Sequence, residues 1–366
     1  MMAQALISAG HEVIMACGSY GVGKTGLIGH FRKGKRKGIV DGIQVVEFNI
    51  PYSNEHGFFK RSIAFLRYLI KSVLLSMSSR HDLVIATSTP LTAGLIGSIA
   101  RWITLKPFVF EVRDMWPELP KAMGIIKNPI ILKVMSLIEW VSYRSANKIV
   151  SLAPGMATSI SRKGILSDKI TFIPNGCDMK LFDPDGSLEW RPQGVEYGDF
   201  LGVYAGTLGV ANGIDSILEV AKVLKGRGRT DIKIVLIGDG KLKSELYSKS
   251  KLLGLRNVIF HQPVDKKRLA GLFRSADVGF QLLENIPAFY YGTSPNKFFD
   301  YIAAGLPVIT NYPGWVADLI LENDAGLVAD PGDYVMFANF LEELSQNSES
   351  LRIKGVNARQ LAIQTF

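Results

Sequence analysis

The sequence predicts an α/β protein made of two doubly wound, parallel-sheet domains. Three observations carry this. Short apolar, β-branched runs alternate with helical patterns almost to the end, the arrangement of parallel sheets covered by helices on both faces. A stretch rich in Gly, Pro and Asp, Asn175 to Phe200, breaks the alternation and reads as a linker. The charge balance changes across it: residues 1–180 hold 23 Lys/Arg against 11 Asp/Glu, and residues 181–366 hold 19 against 22. The 366 residues, 47% of them hydrophobic, suffice for two cores. The boundary is placed near residue 185, giving domains 1–185 and 186–366.

Taken in order, the chain opens on a helix, "MAQALIS", where an α/β domain normally opens on a strand. The predicted strands of the first half are "EVIMAC" (12–17), "IQVVEF" (43–48), "DLVIAT" (82–87), "PFVFEV" (107–112), "KIVSLA" (148–153) and "KITFIP" (169–174). Those of the second are "FLGVYAG" (200–206), "IKIVLIG" (232–238), "NVIFHQ" (257–262), "DVGFQLL" (277–283) and "LPVIT" (306–310). The charge run "FRKGKRKG" (31–38) reads as a basic loop. Ligands of such sheets bind at the carboxyl ends of the strands.

Composition narrows the function. Two lone cysteines, Cys17 and Cys177, argue against a disulfide framework and fit a reducing, cytoplasmic setting. The best membrane-span candidate, "RSIAFLRYLIKSVLLSMSS", is interrupted by Arg67 and Lys71. Lys60, Arg67 and Lys71 share one face of that helix, which suits an anionic membrane surface; the alternative is a core helix with a solvated stripe. The basic half lacks an aromatic-interleaved motif for nucleic acid. The five His are scattered, and "DPD" (Asp183 to Asp185) sits in the linker as turn chemistry, so no metal site is expected.

"GSYGVGKTG", Gly18 to Gly26, spells a P-loop, with Lys24 as its phosphate-binding lysine. A P-loop needs a helix directly after it, because helix N-terminal amides bind the phosphate. Here Gly26, Gly29, Gly34 and Gly38 break any helix, and no strand ends in a Walker-type Asp. The match reads as a Gly-rich loop.

"GTSPNKFFDYIAAGLPVITNYPG" (292–314) is more informative. Ser294 reads as an N-cap, with Pro295 at the first helical position. The free amides of that helix, with Asn296 and Lys297 beside them, suit a diphosphate, and Asp300 one turn on suits ribose hydroxyls. Two further strand-to-helix turns join it: "YAGTLG", with Gly206 and Thr207, and "IGDGK", with Gly238, Gly240 and Lys241. The alternative is an ordinary set of strand–helix connections.

The motifs "GHEVIMA", "VRDMWPE", "IPNGCDMKLFDP", "IGDG", "RSADVGF" and "SPNKFFDYIAAGLPVI" together resemble retaining glycosyltransferases of family 4, over nearly the whole chain. Within them the resemblance is to enzymes of bacterial O-antigen, capsule or exopolysaccharide synthesis, N-acetyl-fucosamine-type transferases included. The resemblance implies the GT-B fold, two Rossmann-like domains facing across a cleft. It implies a nucleotide-sugar donor, UDP-linked, a polyprenyl-diphosphate-linked glycan acceptor, no metal, and work at the inner face of a bacterial plasma membrane. By residue, Asp300 matches the second acid of the family's donor motif, for the ribose, while the first falls on Gly292. Asn296 and Lys297 match donor-phosphate contacts. Thr207 and Asn212 stand where many members carry Arg and Lys, which leaves the phosphates to Lys241, Lys297 and backbone amides. Arg113 and Asp114 match a catalytic-region His-Asp: Asp114 would position or deprotonate the acceptor hydroxyl, and Arg113 would hold a phosphate. The alternative is an Arg–Asp pair that closes a loop. His261 would be structural. The family's first strand with its Gly-Gly loop, and its final helix crossing back to the first domain, have no counterpart, so a truncated chain is expected. The competing functions are a P-loop hydrolase or kinase and a nucleotide-sugar epimerase of the same fold.

Overall fold

The computed structural model describes residues 2–20, 25–52, 56–88, 90–183, 186 and 188–366. The chain forms two compact units: Met1–Pro117, Ile126–Ser151 and Ala157–Phe172 make unit 1, and Glu118–Ile125, Leu152–Met156 and Ile173–Phe366 make unit 2.

Unit 1 runs α1 (Met2–Ser8), β1 (Ile14–Tyr20), β2 (Lys35–Val40), β3 (Ile43–Tyr52), α2 (Phe58–Ser78), β4 (Val84–Thr87), α3 (Ala93–Thr104) and β5 (Phe108–Val112). After α4 (Glu118–Ala122), a part of unit 2, come α5 (Pro129–Ser145), β6 (Lys148–Ser151), α6 (Pro154–Arg162) and β7 (Ile170–Phe172). Among the described residues the strands form two sheets, β1–β3–β2 and β4–β5–β6–β7. Every pairing is parallel except β2 with β3.

That exception corrects the reading of the charge run as a loop. Lys35–Val40 is a strand whose residues alternate outward and inward. Asp41 and Gly42 both have positive φ, 48° and 80°, the two-residue hairpin turn that Asp-Gly favours. Arg36 is an inward residue. Its guanidinium donates to Glu47 on β3 at 2.8 Å, and Thr25 Oγ1 donates to the same carboxylate oxygen at 2.5 Å. Glu47 is only 4% exposed. Burial pushes its pKa up, but the bonds from Arg36 and Thr25 outweigh this and hold it below the ordinary value.

The basic face expected on α2 is also redistributed. Lys71 turns inward, donates to the Gly34 carbonyl at 2.9 Å and lies over the Phe48 ring. No helix among the described residues is long and apolar enough to cross a membrane.

Unit 2 continues with β8 (Phe200–Ala205), α7 (Asp215–Gly226), β9 (Ile232–Ile237), α8 (Lys243–Leu252), β10 (Val258–His261), α9 (Lys266–Ser275) and β11 (Val278–Gln281). Then come α10 (Pro287–Tyr290), α11 (Asn296–Ala303), β12 (Val308–Thr310), α12 (Trp315–Glu322), β13 (Gly326–Val328), α13 (Tyr334–Gln346) and α14 (Ser348–Thr365). Six parallel strands form one sheet in the order β10–β9–β8–β11–β12–β13. The chain builds outward from β8 on one side, then returns to its other side with β11. That switch point, between the carboxyl ends of β8 and β11, is where an open α/β sheet offers a ligand crevice. Leu201, Val203, Ile234, Leu236 and Phe280 are fully buried in this sheet, as its two-sided helical cover requires.

The linker does not hang free. Asn175 donates to Ser294, Phe182 stacks on Phe273 at 5.5 Å, and Trp190 N donates to the Gly271 carbonyl. The chain therefore passes to unit 2 at Phe172/Ile173, ahead of the compositional change near residue 185.

Arg36→Ala leaves a buried carboxylate unpaired and is expected to destabilise unit 1 by about 3 kcal/mol near neutral pH, measured by urea unfolding. Glu47 has its folded pKa below the unfolded value, so its contribution is fully present above about pH 4.5 and is lost as pH falls through the folded pKa. The stability gap between the wild type and Glu47→Gln should close over that acid range.

Candidate active site

The switch point is built from two glycine turns set back to back. After β8, Gly206 N donates to the Ile237 carbonyl and Leu208 N to the Asp239 carbonyl, each at 2.9 Å; Leu242 N returns a bond to the Leu208 carbonyl at 3.0 Å. The approach leaves no room for side chains. A Cβ on Gly238 would lie 1.9 Å from the Gly206 carbonyl oxygen, and one on Gly240 would lie 2.5 Å from that of Leu208. Here glycine is required by backbone contact.

α11 meets these turns. Its N-terminus differs from the expectation: Pro295 holds the cap position, and no side chain caps the helix. Ser294 serves the linker instead, its Oγ accepting from Asn175 N at 3.2 Å and its carbonyl from Asn175 Nδ2 at 2.6 Å. The Ser294 hydroxyl is thus engaged by the linker and not by the helix.

Lys297, in the first turn of α11, reaches back over the glycine turn. Its Nζ lies 5.1 Å above the Tyr204 ring and 3.4 Å from Asn212 Oδ1, and a Cβ on Gly206 would touch its Cδ at 3.2 Å. Asn212 Nδ2 donates to the Thr207 carbonyl at 2.9 Å, and the Tyr204 hydroxyl donates to the same carbonyl. Gly206, Thr207, Asn212 and Lys297 are thus brought together. Burial lowers the Lys297 pKa to about 8, since a cation is disfavoured away from water. Asp300 sits one turn on, 3.5 Å from Lys266 Nζ. Burial raises its pKa, Lys266 opposes the rise, and Asp178 adds to it.

Lys241 is not gathered in: it is exposed ahead of α8. Lys243 takes that place, donating to the Gly238 carbonyl at 2.8 Å and to Gln262 Oε1 at 2.9 Å. Sequence reading missed it, although its position at the start of α8, three residues past Gly240, was a usable signal. It also missed Lys266 and Tyr301, whose hydroxyl accepts from Ala205 N at 2.9 Å and steadies the end of β8. Asn296 is exposed at the helix start. His261 packs edge-on against Trp190.

Arg113 and Asp114 lie in unit 1, just past β5. The Arg113 amide donates to Ser88 Oγ at 2.8 Å, and its guanidinium lies 3.6 Å from Glu111. Lys24 and residues 21–23 of the P-loop match, and Pro184 and Asp185 of "DPD", fall outside the described residues. Thr25 leads into the β2 hairpin, with no helix between them. A cavity of about 460 Å³ opens beside β1–β3–β2 and the end of α2, but none of the candidate residues lines it. Among the described residues no three His, Cys, Asp or Glu gather as a metal site.

Comparison with known proteins settles the family. Residues 1–176 match the model described as a glycosyl transferase 4-like domain, and residues 188–361 match glycosyl transferases group 1. The chain belongs to the family 4 type of glycosyltransferases. This glycosyltransferase is 24% identical to the capsular polysaccharide biosynthesis glycosyltransferase CapM of Staphylococcus aureus, over 80% of this chain and 75% of that one. It is 23% identical to the probable glycosyltransferase WbjE of Pseudomonas aeruginosa, over 82% and 75%. In structure it is similar to Anabaena HepE, solved in complex with UDP (TM-score 0.65, 18% identity, 89% of this chain and 83% of that one). It is likewise similar to WaaG, a glycosyltransferase involved in lipopolysaccharide biosynthesis (TM-score 0.67, 16% identity, 100% and 90%). The fold is GT-B.

Gly238→Ala drives a methyl into the Gly206 carbonyl and is expected to cost about 1–3 kcal/mol in urea unfolding. Gly198→Ala, with nothing within 4 Å of the added methyl, should change stability by less than about 0.5 kcal/mol.

Proposed function

We propose that this glycosyltransferase takes a sugar from a UDP-sugar and transfers it, with retention, to a lipid-linked glycan during surface-polysaccharide synthesis. The observation that carries the reading is Lys297, a half-buried lysine held over the glycine turns at the amino end of an uncapped helix. Such a site offers a cation and free amides, with no carboxylate bonded to the cation among the described residues, and it favours a diphosphate. Lys243 would add its charge at a distance, because its ammonium and the amides of Gly206, Leu208, Gly238 and Gly240 are already bonded within the protein; Lys297 and the first amides of α11 would carry the contact, and no metal is called for. Asp300 would accept from the ribose.

In the reaction the acceptor oxygen forms the new bond to the anomeric carbon as the bond to the diphosphate breaks. The departing diphosphate takes up the acceptor's proton. Asp114 would orient the acceptor hydroxyl, and Arg113 would hold an acceptor phosphate. A polyprenyl-diphosphate acceptor lies in a bilayer, which puts the work at the cytoplasmic face of a bacterial inner membrane. The relatives named above support the polysaccharide setting.

Calorimetry with UDP tests this. UDP should bind without magnesium and lose at least about tenfold affinity in Lys297→Met, on the scale of one charge-assisted contact. The lysine is partly deprotonated above its lowered pKa of about 8, and a bound diphosphate raises that pKa again. Binding should therefore weaken as pH rises through 8 and take up a proton near that pH, and Lys297→Met should abolish the uptake. Magnesium-dependent ATP binding that vanishes in Lys24→Ala would replace this reading with a P-loop enzyme.

A further inference from the structure

Beside Lys297, α11 carries a second charged group with a partner from another helix. Asp300 follows Lys297 by three residues, so both lie on one face of α11, with Cβ atoms about 5–6 Å apart. A diphosphate held at Lys297 is joined directly to a ribose, and that sugar comes to Asp300 next. The carboxylate does not stand alone there. Lys266, the first residue of α9, brings its Nζ to 3.5 Å from Asp300 Oδ1.

The pair is held in place. Asp265 caps α9 by accepting from the Arg268 amide at 2.8 Å, which fixes the helix start that carries Lys266. The Lys266 ammonium lies 5.4 Å from the centre of the Phe182 ring, and that ring is buried and stacked on Phe273. The Asp300 side chain is only 16% exposed, against 61% for Lys266. Burial and the neighbouring Asp178 both work against charge on Asp300, and Lys266 opposes them.

The hydrogen-bonding capacity of the pair is not used up. The ammonium meets Oδ1, and the second carboxylate oxygen has no partner among the described residues. An ammonium has three donors and no acceptor; a carboxylate has acceptors and no donor. The pair therefore sets an open acceptor beside open donors. A vicinal diol answers both: one hydroxyl donates to the carboxylate, and its neighbour accepts from the ammonium. A sugar lacking either hydroxyl leaves one member of the pair without its bond, and a site built around such bonds rejects the analogue that lacks one.

We infer that Lys266 is a specificity-determining residue that, paired with Asp300, reads the vicinal hydroxyls of the donor's ribose. The site thereby selects ribonucleoside-diphosphate sugars over 2′-deoxyribonucleoside ones, thymidine-linked donors included. This rests on the donor reading above and adds to it the residue that sorts the donors.

The test is calorimetry of the full chain with UDP, 2′-deoxy-UDP and 3′-deoxy-UDP. The wild type should bind each deoxy nucleotide at least about tenfold more weakly than UDP, on the scale of one hydrogen bond to a charged group. In Lys266→Met one of the two penalties, that of the hydroxyl the ammonium answers, should fall to within about threefold while the other persists. The Lys266 side chain is mostly exposed, so this variant should keep the wild-type melting temperature. A wild type that binds both deoxy nucleotides as tightly as UDP overturns the inference, and so does Lys266→Met with both penalties intact. If those penalties stay intact while Lys297→Met still loses UDP, the donor reading stands and this inference alone falls. A wild type that binds no UDP removes both.

Discussion

A close backbone approach in unit 2 sets the rest of its site. The turn after β8 and the turn after β9 press together until carbonyl and amide meet with no side chain between them. Tyr204 and Tyr301 brace the end of β8 with their hydroxyls. Larger residues in the turns would push the loops apart and take away the floor on which Lys297 lies. The glycines therefore do structural work first, and any ligand chemistry rests on it.

On that floor the protein keeps a lysine at an electrostatic cost. Its nearest polar group is an amide oxygen, and its nearest ring is a tyrosine. A half-buried cation with no carboxylate bonded to it among the described residues is poised for an anion, because the anion restores what burial took away. Asp300, one turn along, contrasts with it: its charge is already answered by Lys266. Burial thus disfavours the charged form of both groups on this short helix, lowering the lysine's pKa and raising the aspartate's, and Lys266 offsets only part of the latter.

Unit 1 uses charge differently. Glu47 and Glu139, buried on different elements, are each tied to one basic side chain, Arg36 and Lys163. These pairs neutralise the interior acids and leave the outer helical layer positive. The imbalance visible in the composition is therefore a surface property of that layer, next to apolar side chains that no other part of unit 1 covers.

The sequence by itself determined the α/β class, the predicted strands and the glycine turns, because those signals are local: periodicity in a strand, Gly after a strand, a helix stop. It missed β2, where Asp41-Gly42 marked a hairpin but a dense run of charges hid the two-residue alternation. It missed β13, whose three residues carry too little pattern. It chose Lys241 over Lys243 because both flank the same turn, and only the start of α8 decides which one faces Gly238. Ser294 had the right residue type for a cap, but Asn175, over a hundred positions away, claimed its hydroxyl. α2 is apolar on more than one side, so periodicity could not say which side turns inward. Tertiary contacts from Tyr68, Phe65 and Lys71 settled that. What the sequence could not supply was in each case a choice between near neighbours, made by contacts distant in the chain, which no local pattern encodes.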